Sequence, residues 1–376
     1  MEATSPRLRP EERTRGDARP GSRGPVLLVV GARPNFMKIA PVQAELDRRG
    51  VPSVLVHTGQ HYGAAMSDVF FDELGMRRPD HHLGIGSASH AVQTARIMEA
   101  FEPVVLEVEP SWVLVPGDVN STLAASLVAA KLGARVAHLE AGLRSGDWAM
   151  PEEINRVVTD RISDLLLAPS PDAVDNLRAE GCPEASIALV GNVMADCLLT
   201  NLDRARQRPI LDDLGLEPGG YAMVTLHRPS NVDDPASLTA LIGVLEEIAT
   251  TLPLVWPVHP RVTLPVELSG SIRAIEPLGY LDAIALQASA TMILTDSGGM
   301  QEESTVLGVP CITLRTTTER PITVTDGTNQ LVGTTPAAIR AAVARVLAGE
   351  IPVRRPDLWD GLAASRVVDA LDVQGR

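Results

Sequence analysis

The sequence predicts an α/β protein of two units, each a parallel sheet wrapped by crossover helices. Three observations lead there. From residue 25 the 376-residue chain repeats one pattern: a short apolar run, a polar or glycine-bearing loop, then an amphipathic stretch. The apolar runs are continuous rather than alternating, which suits strands buried on both faces, and helical stretches between them suit parallel crossovers. The whole series occurs twice, and the length fits two domains of about 100–200 residues.

The runs of the first half are Val26–Val30, Ser53–His57, Trp112–Val115, Arg135–Leu139, Leu165–Ala168 and Ile187–Val190. Those of the second half are Tyr221–Leu226, Leu254–Val258, Ile272–Glu276, Met292–Thr295 and Cys311–Leu314. The chain therefore divides into a leader over 1–24, Rossmann-like domains over 25–192 and 193–355, and a terminal helical segment over 356–376. The leader is rich in Arg, Pro, Gly and Ser and has no apolar core, so it reads as disordered. The terminal segment is expected to pack back on the first domain.

Aromatic residues make up only 3% of the chain against 45% hydrophobic, so aliphatic side chains must fill both cores. A net charge of −14 argues against nucleic acid or an anionic membrane as partner. It leaves room for one phosphorylated small molecule in a locally positive pocket. No run of about 18 apolar residues offers a membrane span. Cys182, Cys197 and Cys311 have no metal-binding spacing and cannot all pair, which points to a reduced, cytoplasmic setting.

In an open α/β sheet ligands bind beyond the carboxyl ends of the strands. The unusual polar residues gather there. Gly31-Ala-Arg-Pro-Asn-Phe-Met-Lys38 follows the first run, His57-Thr-Gly-Gln60-His61 the second and Gly117-Asp118 the third. His138-Leu-Glu140-Ala-Gly-Leu-Arg144 closes the fourth. In the second half His227-Arg228, His259 and Asp296-Ser297-Gly298-Gly299 hold equivalent places.

Each cluster has a physical reading. Asp296 to Glu303 carries a strand into a Gly pair and then a helix, where glycine allows close backbone approach and the helix N-terminus favours phosphate oxygens. A tight strand-to-helix turn would explain the glycines equally. Glu303 either complements the helix dipole or accepts ribose hydroxyls. Arg33 and Lys38 flank a turn at a helix start, a placement that opposes the dipole and so favours a nearby anion. Arg315 and Arg320 form a similar group after the last run.

The acids are Asp118, Glu140 and Glu152–Glu153. Asp118 is either an N-cap of the helix over 120–132 or a cleft acid. One of the two glutamates is expected to serve only the dipole of its helix. Glu140 lies in an apolar strand, so burial is expected to disfavour its charged form.

Together these motifs resemble the non-hydrolysing UDP-N-acetylglucosamine (UDP-GlcNAc) 2-epimerase family, from about Val26 to Gly333. The likeness also includes Pro151-Glu-Glu-Ile-Asn-Arg156, Gly191-Asn192, Thr225-Leu-His-Arg228, Thr318-Glu-Arg-Pro321 and Gly327-Thr328. It implies a GT-B-like fold with two Rossmann-like domains facing a cleft, a UDP-sugar substrate, homodimerisation, and no metal or nicotinamide cofactor. It implies that Arg33, Lys38, His227, Ser297, Gly298, Gly299 and Glu303 bind UDP. Asp118, Glu140 and Glu152 become the acid–base candidates, with His227 beside them as a catalytic candidate. Gln60, His61, Arg144, His259 and Arg320 complete the expected substrate contacts. The chain departs from the common pattern at His227-Arg-Pro-Ser-Asn231, where many members read His-Arg-Arg-Glu-Asn, and at Asn35, where Glu is frequent.

The implied reaction is C2 epimerisation of UDP-GlcNAc, or a close 2-acetamido relative, through elimination and re-addition of UDP. Three other readings stand beside it: a hydrolysing 2-epimerase, a GT-B glycosyltransferase and a non-catalytic nucleotide-sugar sensor.

Overall fold

The computed structural model describes residues 24–60 and 71–372. Apart from its last residue, the leader expected over 1–24 lies outside them, as do His61 and residues 373–376. The first half contains strands β1 (Val26–Val30), β2 (Ser53–His57), β3 (His81–His82), β4 (Trp112–Pro116), β5 (Val136–Leu139), β6 (Leu165–Ala168) and β7 (Ile187–Leu189). Its helices are α1 (Arg33–Arg48), α2 (His90–Val108), α3 (Asn120–Lys131), α4 (Pro151–Ile162) and α5 (Pro171–Ala179).

Helix α6 (Val193–Arg206) leads to the second half, where α7 (Ile210–Asp213) precedes β8 (Ala222–Thr225). There follow α8 (Pro229–Val232), α9 (Pro235–Ala249), β9 (Leu254–Pro257), β10 (Ile272–Ile275) and α10 (Tyr280–Ser289). The chain ends with β11 (Met292–Thr295), α11 (Gly298–Leu307), β12 (Cys311–Thr313), α12 (Ile322–Thr325), β13 (Asn329–Leu331), α13 (Pro336–Leu347) and α14 (Ala363–Ala370).

The strands form two parallel sheets, ordered β3-β2-β1-β4-β5-β6-β7 and β10-β9-β8-β11-β12-β13. This is the GT-B-like pair of facing α/β units. Nine of the eleven apolar runs became inner strands and two became the edges β7 and β10; every residue of β1, β4 and β11 is buried. Edge strands β3 and β13 were not expected, because His-His and Asn-Gln-Leu carry no apolar signature.

Both orders reverse once, at β1/β4 and at β8/β11. Crevices open where neighbouring crossovers leave in opposite directions. Those two switch points place the loops after β1, β4, β8 and β11 together, and the polar clusters occupy these loops.

Helix α6 lies against α1 on one side and α10 and α11 on the other. The C-terminal helix is shorter than the expected 356–376. Pro356 and Gly361, the latter at φ 84°, keep the preceding chain out of a helix, and α14 begins at Ala363. It rests on α1 and α6, and Asp196 of α6 accepts the Ala363 and Ala364 N–H groups at 3.1 and 2.7 Å. Leu371 accepts the Trp112 indole N–H at 2.8 Å. Among the described residues no helix is long and apolar enough to cross a membrane.

Trp359 pins the returning chain: its ring is fully buried in the core shared by α1, α6 and α14, and its N–H donates to the Pro169 carbonyl. Trp359→Ala is expected to cost roughly 3–5 kcal/mol through the cavity it leaves. Thermal denaturation should show the midpoint falling by roughly 10 °C, at about 2–4 °C per kcal/mol for a large domain.

Candidate active site

The first switch point is built around Lys38. Its Nζ lies 2.5 Å from Glu140 Oε2, and both side chains are buried. Lys38 reaches Glu140 by passing over Gly117, where a Cβ would sit 2.7 Å from the ammonium and the backbone has φ 64°. Glu140 itself has φ 70°, a left-handed conformation that costs a non-glycine residue energy and tends to persist at functional sites. Its other oxygen, Oε1, is buried without a hydrogen bond. Asn35 organises the same turn: its Oδ1 accepts the N–H groups of Gly31 and Ala32, and its amide donates to the Pro116 carbonyl. A side chain that both accepts and donates suits this site.

Asp118, in the turn after β4, is not an N-cap; Val119 takes that position in α3 without a side-chain bond. Its Oδ2 instead accepts Arg156 at 2.6 and 3.0 Å. Burial alone would push its carboxyl up, but Arg156, Lys38 and Arg320 outweigh burial and hold it below the usual carboxylate range.

The paired glutamates part company. Glu153 is buried and accepts the N–H groups of Ser145 and Gly146 together with Arg156, so it fixes the loop ahead of α4. Glu152 stays partly exposed in the first turn and adds its negative charge near Arg228. His138 is a buried strut between Asp160, at 2.6 Å, and the Gly117 carbonyl, at 2.7 Å.

At the second switch point Asp296 is the organiser. It is fully buried and accepts the backbone N–H groups of His227 and Arg228, the Asn231 amide and His227 Nδ1, the last at 2.8 Å. Burial raises its carboxyl, but these donors outweigh burial and hold it below the ordinary value. His227 is thereby aimed from its Nδ1 side, with its ring 5.5 Å from that of His259. His259 borders a hollow of about 710 Å³ together with Pro260, Glu276 and Pro277. Arg33 enters from the first unit and donates to the Leu278 carbonyl at 3.4 Å.

Ser297 caps α11 without a side-chain bond, leaving the helix N-terminus beside Arg320. A Cβ on Gly298 would sit 2.8 Å from Arg320 Nη1, whereas one on Gly299 would meet only ordinary contact. Glu303 is buried against the Gln287 amide at 2.8 Å. Burial pushes its carboxyl up to about 7, with Gln287 and Arg33 opposing.

The two sites meet through Arg320. It lies 2.8 Å from Glu302 and 3.9 Å from Glu140, and so faces acids of both sheets. Asn192, ahead of α6, donates to Glu302 at 2.9 Å. Glu319 accepts a fork from Arg315. Burial opposes ionisation of Glu319, yet Arg315, Arg320 and Arg228 draw its carboxyl down to about 2.

Of the expected site residues, the structure brings together Arg33, Lys38, Asp118, Glu140, Glu152, His227, His259, Ser297, Gly298, Gly299, Glu303 and Arg320 around this cleft. Arg144 is turned elsewhere, into ion pairs with Asp160 and Glu180. Gln60 spends its carbonyl oxygen on the N–H and hydroxyl of Ser121 at the start of α3. His57 is a core ring packed on Phe36 and His82, driven by burial and by His82 to about 4. Arg156, Asp296, Glu302 and Glu319 had no assigned role from the sequence, although all four lie inside the motifs quoted. Among the described residues no group of three or more His, Cys, Asp or Glu is arranged to hold a metal ion.

Comparison with known proteins gives one consistent family. The family model described as UDP-N-acetylglucosamine 2-epimerase matches residues 44–372. The UDP-2,3-diacetamido-2,3-dideoxy-D-glucuronate 2-epimerase of Pseudomonas aeruginosa is 41% identical, over 92% of this chain and 99% of its own. The UDP-N-acetylglucosamine 2-epimerase of Methanocaldococcus jannaschii is 39% identical over 92% of this chain and 98% of its own. A crystal structure of the M. jannaschii enzyme with UDP-GlcNAc and UDP superposes with a TM-score of 0.86, covering 92% of this chain and 99% of that one.

Removing one partner of a buried ion pair leaves the other charge stranded. Lys38→Met is expected to destabilise the fold by roughly 3–5 kcal/mol, and adding Glu140→Gln should recover much of that loss. Denaturation midpoints of the two variants and the parent check it.

Proposed function

The chain belongs to the UDP-N-acetylglucosamine 2-epimerase family, and we propose that it epimerises C2 of UDP-GlcNAc, or a close UDP-2-acetamido sugar, by eliminating and re-adding UDP. The observation that carries this reading is the buried Glu140, paired with Lys38 of its own unit and facing Arg320 of the other, with Asp118 sharing the charges of Lys38 and Arg320 and Glu152 lying near Arg228. On this reading the nucleotide lies on domain 193–355 and the sugar against domain 25–192. The enzyme works as a cytoplasmic homodimer without metal or nicotinamide.

The C2 proton of such a sugar is not α to a carbonyl, so it must first be made acidic. The C1–O bond breaks and its electron pair leaves with UDP. Arg33, Lys38, His227 and the start of α11 offer positive charge and hydrogen-bond donors to the growing negative charge. The oxocarbenium-like ring then gives its C2 proton to a carboxylate, and a C1=C2 double bond forms. The resulting 2-acetamidoglucal takes a proton on its opposite face from a second acid, and UDP re-adds at C1. Asp118, held ionised by its cationic neighbours, fits the accepting role; Glu140 and Glu152 supply the other face.

A cleft that keeps the glycal from water favours this reaction over hydrolysis. The three acids together favour it over glycosyl transfer or mere sensing. The sugar substituents at C3 and C6 are a separate matter, since the P. aeruginosa relative is named for a diacetamido uronate.

Asp118→Asn, Glu140→Gln and Glu152→Gln should each lower turnover of UDP-GlcNAc by about 10²–10⁴-fold. Near-normal turnover in all three would defeat the assignment.

Glu303 adds a pH dependence. If its carboxylate accepts the ribose hydroxyls, UDP binds the ionised form, present above about pH 7 and lost as pH falls. The UDP Kd should rise about ten-fold from pH 8 to pH 6. Glu303→Gln should remove that part of the slope, leaving only what the phosphate's own titration contributes. Calorimetry at the two pH values measures both.

A further inference from the structure

We infer that Glu73 is a positioning residue that clamps the second unit onto the first at the nucleotide side of the cleft. Glu73 lies in the helical turn over 71–74, between β2 and β3. Its Oε2 accepts the N–H of Tyr280, the first residue of α10, at 2.7 Å. The first N–H groups of a helix have no partners within it and carry its positive end, so a carboxylate there is well placed. The other oxygen, Oε1, lies 2.6 Å from where a Cβ on Gly279 would stand. Glycine therefore occupies a position where a side chain would push Glu73 away. The Glu73 carbonyl accepts from Arg204 of α6 at 2.8 Å, which fixes the residue from behind.

The clamped segment is part of the site. Leu278, one residue before Gly279, accepts Arg33 from the first unit. Pro277, before it, lines the hollow beside His259. The Tyr280 ring is buried among Cys197, Glu303 and Arg33. The three-residue stretch Leu278–Tyr280 of the second unit is thus held at both ends by two charged side chains of the first. Glu73 touches none of the acid–base candidates, so its effect must pass through the Leu278–Tyr280 segment.

The consequence for turnover rests on the epimerase reading. After C1–O cleavage the cleft holds UDP and 2-acetamidoglucal with no covalent link to each other or to the protein. Loosening the clamp should let them escape before the C1–O bond re-forms.

The test uses Glu73→Ala, Glu73→Gln, Gly279→Ala and the Glu73→Ala/Gly279→Ala pair in the full chain. UDP affinity by calorimetry judges the clamp whichever sugar is turned over. Glu73→Ala and Gly279→Ala should each weaken UDP binding roughly ten-fold, the scale of one lost charge-assisted hydrogen bond. The double variant should be no weaker than either single, because both break one contact. Glu73→Gln keeps an acceptor for the Tyr280 N–H and should restore most of the affinity. Should Glu73→Ala fail to fold, Gly279→Ala and Glu73→Gln still decide the matter.

Released glycal, followed by NMR with UDP-GlcNAc, should rise against epimerised product in Glu73→Ala and fall back in Glu73→Gln. Unchanged UDP affinity in both single variants, additive losses in the pair, or an unchanged glycal fraction in an active enzyme would overturn the clamp. A wild-type chain inert towards UDP-sugars would instead count against the epimerase reading, with the calorimetry still judging the clamp.

Discussion

A charged side chain buried between two protein units must be neutralised from one of them or both. Glu140 meets this constraint with Lys38 at 2.5 Å in its own unit and Arg320 at 3.9 Å in the other. Most of the buried charges near the cleft follow the same rule, while Glu303 rests instead on the neutral Gln287 amide. Arg320 is matched by Glu302, Arg315 by Glu319, and Arg156 by Asp118 and Glu153. Such networks contribute little net stability against well-packed apolar side chains. Under the proposed function, their place at the meeting of two sheets is preorganisation: fixed charges wait where new charge will form.

The backbone serves that arrangement. Parallel sheets put loop after loop at one end, and each reversal of strand order opens a crevice there. Asn35 ties the loop after β1 to the end of β4, and Asp296 ties the loop after β8 to the end of β11. Each organiser spans a switch point with hydrogen bonds. Gly117 and Gly298 then leave the room that Lys38 and Arg320 need.

Much of this was legible in the sequence. Apolar runs located eleven strands: nine inner ones, where burial on both faces leaves little polar alternation, and the partly exposed edges β7 and β10. The edge strands β3 and β13 escaped because a strand of two or three mostly polar residues is held by its neighbour and not by its own composition. The site was legible as positions more than as roles. Glu152 and Glu153 are adjacent on a helix and point about 100° apart, and the sequence cannot tell which faces the cleft. The same holds for Glu302 and Glu303. Arg144 carried the signal of a site residue, yet Asp160 and Glu180 claim it, a pairing visible only once α4 and α5 are folded onto the sheet. The departure at Asn35 has a structural reason: the turn needs a donor as well as an acceptor.

The central claim is that C2 gives up its proton to one acid and regains one from another after UDP has left. Incubating the wild-type chain with UDP-GlcNAc in deuterium oxide, and following C2 by NMR, addresses it directly. The account predicts that both epimers of the UDP-sugar accumulate deuterium at C2, because the returning proton comes from a group in exchange with solvent. Epimerised product that keeps its original C2 proton, or free N-acetylmannosamine with UDP in place of the UDP-linked epimer, would contradict it.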